Sequence, residues 1–398
     1  MDTLRHSFLN HLAQTSDFPL LLEFVKAEGI FLFDKDGKKY IDLISGIAVS
    51  NVGHRHPKVV KAIKNQVDDY MHLMVYGEYV QSPQVKLAKR LVELLPKGLD
   101  CVYFVNSGSE AIEGAMKLAK RITGRTNIIA FKNAYHGSTQ GALSIGGNEE
   151  FKQAFRPLIP SIQHIEFNNI NDLDLIDEHT ACVVAETIQG EAGAIVLSQE
   201  FMKALRERCT KTRTLLIIDE IQTGFGRTGS LFSFNQFDIV PDIVCIAKAM
   251  GGGLPIGAFI SSKELMGNFK TNPVLGHITT FGGNAVCCAA SLAALNVLID
   301  EKLIESVPEK EKLFRNLLHH KSIKNISGKG LLLAIEFDSE EFNKKVIAEC
   351  INKGVITDWF LFAANKMRIA PPLTITDEEI RHSCEIILNA INTNERQK

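Results

Sequence analysis

Between residues 101 and 260, seven short apolar runs alternate mostly with segments of helical periodicity. They lie at 101–105, 128–131, 162–165, 181–185, 215–218, 243–246 and 256–260. Strands separated by helices at this spacing call for an open, mostly parallel sheet covered on both faces. In such sheets ligands sit beyond the carboxyl ends of the strands. The residues just after each run are therefore where chemistry is expected, and the fold class is α/β.

The 398 residues exceed one small core and suggest about two to three units. Residues 18–50 alternate apolar and polar around Asp34-Lys35-Asp36-Gly37, which predicts a β-hairpin. Beyond residue 285 the pattern changes. Helical segments at 285–299, 302–319, 340–353 and 376–392 surround strand-like pieces near 331–337 and 367–369, as in a smaller α+β domain. The expected division is 1–50, a segment packing with the small domain; 51–285, a large ligand-binding domain; and 286–398, the small domain.

Lys248 follows the apolar run 243–246 and precedes Gly251-Gly252-Gly253 and Pro255. Desolvation at the edge of such a strand favours the neutral, nucleophilic amine, and the glycines leave room for a flat group beside it. An aldehyde cofactor held as a Schiff base is one candidate; a surface lysine after a strand is the plain alternative. Asn106-Ser107-Gly108-Ser109-Glu110 leaves a strand and opens a helix with an Ile112, Ala115, Met116, Ala119 stripe. Its free N–H groups at Gly108 and Ser109 suit an anion, and the same residues also read as an ordinary N-cap through Ser107 or Ser109. Tyr135 in Tyr135-His136-Gly137 can stack on a planar ring. Asp219 follows four apolar residues and is either a turn cap or the partner of a buried cation such as a pyridinium nitrogen.

Other patterns point away from competing chemistries. Gly224-Phe225-Gly226-Arg227-Thr228-Gly229 has dinucleotide-binding spacing, but it does not directly follow a strand and no amphipathic helix starts at its end. A phosphate loop and a nucleophile elbow are absent. His54 and His56 have no third ligand near them in sequence, and the eight cysteines form no Cys-x-x-Cys pair, so no metal is expected. Forty-four basic against 46 acidic residues give no field for nucleic acid. The most apolar stretch, 285–299, is about 15 residues, short of a membrane span, and the N-terminus carries no signal-peptide core. A cytoplasmic location is expected.

Taken together, the motifs resemble the class III pyridoxal-phosphate (PLP)-dependent aminotransferases, the acetylornithine, ornithine and 4-aminobutyrate group. The resemblance runs from about residue 18 to 385. It rests on Gly46-Ile47-Ala48-Val49 with Gly53-His54, Asn106-Ser107-Gly108-Ser109-Glu110-Ala111, Tyr135-His136-Gly137, and Glu186-Thr187-Ile188-Gln189-Gly190-Glu191. It rests also on Asp219-Glu220-Ile221-Gln222-Thr223-Gly224-Phe225-Gly226-Arg227, Lys248, and Thr280-Phe281-Gly282-Gly283-Asn284. The resemblance implies the fold type I PLP-dependent transferase architecture, with 51–285 as the PLP-binding unit. It implies that Lys248 binds the cofactor covalently, Asp219 pairs with its ring nitrogen, Gln222 meets its phenolic oxygen and Tyr135 stacks on its ring. Gly108 and Ser109 hold the phosphate, joined by Thr280 from the other subunit of a homodimer; His136 and Glu186 belong to the same cofactor site.

Lys248 then doubles as the base and acid of a ping-pong reaction from an ω-amino donor to 2-oxoglutarate. Glu191 pairs with Arg368, which is freed when a dicarboxylate enters. Ser138 departs from the pattern, because ornithine-type relatives commonly carry a carboxylate-binding arginine there and a serine cannot make that bidentate contact. Thr187 and Ala285 stand where many relatives have proline. Other class III donors (4-aminobutyrate, lysine, diamines, diaminopelargonate type), an aminomutase, a non-catalytic member and a nicotinamide dehydrogenase are the alternative readings.

Overall fold

The computed structural model describes residues 3–396. All seven apolar runs become strands of one sheet. Their order is Cys101–Val105, Gly257–Ser261, Ile243–Ile246, Leu215–Asp219, Thr180–Glu186, Asn127–Phe131, Ile162–Ile165. Six strands point the same way, and Gly257–Ser261 runs antiparallel to both neighbours. Its reversal has a simple cause. A parallel return needs a crossover of about a dozen residues or more, and residues 247–256 supply only a tight turn.

The inner strands Thr180–Glu186 and Ile243–Ile246 are buried along their whole length, as both faces are covered. Successive residues serve opposite faces: Val183, Ile218 and Val244 enter one apolar core, while Val184, Ile217 and Cys245 enter the other. Helix Gly108–Thr123 fills the second core with Ala111, Ile112, Ala115, Met116, Leu118 and Ala119. Ser107 is its N-cap, accepting the Glu110 N–H at 3.2 Å, and Gly124 ends it in the left-handed region at φ 66°.

The expected hairpin is Phe31–Asp34 with Lys39–Asp42, and Phe24–Glu28 adds a third antiparallel strand. Lys39–Asp42 also pairs in parallel with Val355–Ile356 from the far end of the chain. A second sheet joins Asn325–Lys329, Leu332–Glu336, Ala363–Ile369 and Trp359–Phe360, beside helices Glu340–Asn352 and Asp377–Glu395. Helix Ala285–Asp300 packs against Pro57–Asp69 and Ser82–Leu94. Among the described residues no helix is long and apolar enough to cross a membrane.

The histidine pair and the glycine triplet both have structural roles. His56 caps helix Pro57–Asp69, and His54 Nε2 lies 2.8 Å from Asp42 Oδ2. Arg227, within the triplet, is fully buried. It donates to the carbonyls of Leu331 (2.9 Å) and Pro371 (2.5 Å), to Ser45 Oγ (3.3 Å) and to Asn51 Oδ1. One guanidinium thus ties together the N-terminal, central and C-terminal parts of the chain.

Candidate active site

At the carboxyl ends of the parallel strands lies a cavity of about 460 Å³. Strand Ile243–Ile246 delivers Lys248 to its wall with φ 49°, a left-handed backbone that costs a non-glycine residue energy and recurs at functional positions. None of the described residues hydrogen-bonds its Nζ. Burial drives the Lys248 pKa down; the charges of Glu191, Asp219 and Glu186 oppose this, Arg368 reinforces it, and the net shift is downward. The amine is poised toward its nucleophilic form.

Asp219 and Glu186 end adjacent parallel strands in direct register. Asp219 Oδ1 accepts the Ile221 N–H at 2.9 Å, and Oδ2 lies 2.8 Å from Nδ1 of the buried His136. Burial pulls the His136 pKa down, but its hydrogen bond and charge interaction with Asp219, with help from Glu186, outweigh this and leave it raised. Glu186 accepts the N–H groups of Tyr135 and Gly190, yet burial pushes its pKa up to about 8. Of the two neighbours, Asp219 is the one that hydrogen-bonds His136.

The N-terminus of helix Gly108–Thr123 opens onto the same cavity, with the Gly108 and Ser109 N–H groups free of intrahelical partners. Gly137, at φ 127°, passes so close that an added Cβ would fall 1.9 Å from Ser109 Oγ. Gln222 lies against Gly190, where a Cβ would come 1.7 Å from its Oε1; its Nε2 is buried without a partner.

Glu191 forms another wall. Its carboxylate receives Arg368 Nη1 at 3.1 Å and Nη2 at 3.0 Å, in a bidentate pair, and also the Leu361 N–H at 3.2 Å. Arg368 Nε donates to Asp358 Oδ1 at 2.9 Å, and its guanidinium lies 4.4 Å from the Phe360 ring centroid.

The family model for class III aminotransferases matches residues 12–391. The chain belongs to the class III aminotransferases. It is 39% identical over 384 residues to the acetylornithine aminotransferase of Methanopyrus kandleri, covering 96% of each chain. It is 40% identical over 390 residues to that of Bacillus cereus, covering 96% of this chain and 98% of the relative. A solved ornithine aminotransferase from Toxoplasma gondii superimposes with a TM-score of 0.91 at 30% identity, over 98% of this chain and 93% of that one, and its active site is described as partly occupied by PLP.

This class III aminotransferase is a PLP-dependent transaminase of mixed α/β fold with a mostly parallel central sheet, the fold type I arrangement. Its cavity fits the cofactor. It combines an unengaged lysine, a braced carboxylate, an unpartnered buried amide at Gln222 and a helix N-terminus open to the cavity. Gly108, Ser109, Tyr135, His136, Glu186, Glu191, Asp219, Gln222 and Lys248 all line it. Arg368 stands directly behind Glu191. Thr280 does not reach the cavity of its own chain and is exposed. Two features escaped sequence reasoning: the bracing of Asp219 by His136, and Asp358, whose only signal was an acid ten positions before Arg368 in Asp358-Trp359-Phe360.

Proposed function

We propose that this transaminase moves an amino group from an ω-amino donor of acetylornithine or ornithine type to 2-oxoglutarate, the two substrates using one site in turn. The observation that carries this reading is a bidentate Glu191–Arg368 pair on the wall of the cavity that holds Lys248. It is a carboxylate-binding group under a removable cover. The roughly 40% identity to acetylornithine aminotransferases over nearly the whole chain supports the donor class. The division into 1–50, 51–285 and 286–398 belongs to the same proposal, as does a homodimer in which Thr280 reaches the partner's phosphate site.

When bound, PLP supplies an aldehyde to carry the amine and an electron-withdrawing ring. Lys248 Nζ would act as base and then acid, moving a proton between the amine-bearing substrate carbon and the cofactor carbon that takes up the amine. Asp219, held by His136 and the Ile221 N–H, would keep the cofactor's ring nitrogen protonated through its opposite charge. The Gly108 and Ser109 N–H groups would hold the phosphate at the helix N-terminus, Tyr135 would stack on the ring and Gln222 would hydrogen-bond its phenolic oxygen. Glu191 covers Arg368 while an ω-amine occupies the site, and yields it when the dicarboxylate enters.

Ser138 favours a second reading in which the donor lacks an α-carboxylate. Its hydroxyl sits 3.2 Å from the Tyr135 O–H and offers no charge. A donor screen decides between them. N-acetylornithine, N-succinylornithine, ornithine, 4-aminobutyrate, lysine and putrescine are each added to purified holoenzyme, and bleaching of the cofactor's visible band is followed. The first reading requires rapid bleaching by an ornithine derivative; reaction only with amines lacking an α-carboxylate selects the second.

A further inference from the structure

The Arg368 guanidinium carries one more acid than a single bidentate pair needs. Glu191 occupies the Nη1/Nη2 end, which faces the cavity wall, and Asp358 takes the Nε edge from outside that wall. The two carboxylates are anchored differently. Glu191 sits in the turn between the two-residue strands Ile188–Gln189 and Ile195–Val196, and its carboxylate has one other partner, the Leu361 N–H. Asp358 is locked to the strand that bears Arg368. Its carbonyl accepts the Arg368 N–H at 2.9 Å, and the neighbouring Thr357 hydroxyl donates to the Arg368 carbonyl at 2.6 Å. Both main chains are tied, Glu191 through its carbonyl to the Phe362 N–H at 3.0 Å, so the difference lies in place: the Glu191 carboxylate faces the cavity, where an incoming carboxylate can replace it, and Asp358 lies outside that wall beside Arg368.

We propose that Asp358 is a positioning residue for carboxylate capture: it keeps Arg368 charge-balanced and aimed during the interval when Glu191 has left and the incoming carboxylate has not yet bound. The inference rests on the Glu191-for-substrate exchange proposed above. Arg368 is only 2% exposed, and a guanidinium stripped of its sole counter-charge at that depth is costly. With Asp358 in place, the exchange passes through a neutral Arg368–Asp358 pair. Once either carboxylate occupies the fork, Asp358 repels both alike, so its effect falls on the rate of exchange more than on the final affinity. Burial is the main influence on the Asp358 carboxyl, and Glu191 adds to it. Burial raises its pKa, Arg368 lowers it, Glu191 raises it again, and the result is about 6.

The test uses full-length protein loaded with pyridoxamine phosphate and mixed rapidly with 2-oxoglutarate, following the cofactor band. Association of unreactive glutarate with the PLP form is followed alongside. Asp358→Asn is expected to lower the second-order rate constant for 2-oxoglutarate, and the association rate of glutarate, at least tenfold. The limiting rate at saturation should stay within about twofold of wild type, and Asp358→Glu should restore capture. Unchanged capture in Asp358→Asn overturns the inference, as does a matching fall in capture and limiting rate accompanied by loss of cofactor. Arg368→Met separates this from the underlying reading. Wild-type capture without the arginine sinks the exchange itself, whereas slow capture in Arg368→Met beside normal capture in Asp358→Asn removes only the role of Asp358.

Discussion

Arg227 and Arg368 are the two largest fully buried side chains among the described residues, and they are held in opposite ways. Arg227 is surrounded by neutral oxygens: two main-chain carbonyls, a hydroxyl and an amide. No carboxylate touches it, and burial lowers its pKa to about 9. Arg368 lies between two carboxylates. Burial disfavours its charge, but Glu191 and Asp358 more than compensate and its pKa is raised. Main-chain dipoles cannot leave without unfolding the segments that carry them. A carboxylate on a side chain can leave, and another carboxylate can take its place. The first arginine is therefore built as scaffold, and the second is built as the proposed carboxylate exchange requires.

The largest expected effect lies outside both arginines and sets the scale for them. Lys248→Ala should keep bound PLP and lose about three orders of magnitude or more in turnover, because the covalent anchor and the proton carrier go together. Single-turnover kinetics with a reactive donor measure it; a residual rate near wild type would mean that another group moves the proton. Next comes Arg227→Met, which leaves buried carbonyls unpaired. It should cost about 3–5 kcal/mol of stability by urea denaturation. Whatever protein stays folded should keep its KM for 2-oxoglutarate, and a normal unfolding midpoint with an altered KM would reverse the contrast.

Glu191→Gln sharpens the other side of the comparison. A neutral amide competes weakly for the guanidinium, so KM for 2-oxoglutarate should fall about tenfold, or about 1.4 kcal/mol. The unfolding midpoint should move little, since Asp358 still balances the charge. The most gradual effect, spread over several pH units, concerns Glu186, a buried acid that tests whether an ion stays charged only when opposite charge is close. Its folded pKa of about 8 lies above the unfolded value. The native state then holds a proton that the unfolded state releases, so stability is fully present below about pH 4.5 and declines as pH rises toward 8. In cofactor-free protein this decline should approach about 1 kcal/mol per pH unit and flatten in Glu186→Gln. Parallel pH profiles for the two proteins would show Glu186 ionised throughout.

Much of this arrangement was legible before any coordinates. Apolar runs and helical stripes are local signals, and they located all seven strands of the central sheet and the turns that carry Lys248 and Asp219. The reversed strand Gly257–Ser261 also had a local signal, the missing crossover at 247–256. What stayed hidden depends on distant partners. Arg227 sits in a glycine triplet with dinucleotide-binding spacing, and its carbonyl acceptors at Leu331 and Pro371 leave no trace in side-chain chemistry. Asp358 reads as an ordinary acid after a short strand until Arg368 folds against it. Phe24–Glu28 is an exposed edge strand, so burial did not mark its pattern.

The parallel pairing of Lys39–Asp42 with Val355–Ile356 has a consequence for how the polypeptide is made. The hairpin leaves the ribosome with one flank of N–H and C=O groups open, and its mate at Val355–Ile356 is translated about 300 residues later. Throughout synthesis that flank is a template for foreign strands. A nascent chain stopped short of residue 355 cannot close it, so premature termination yields a sticky fragment rather than a smaller working enzyme.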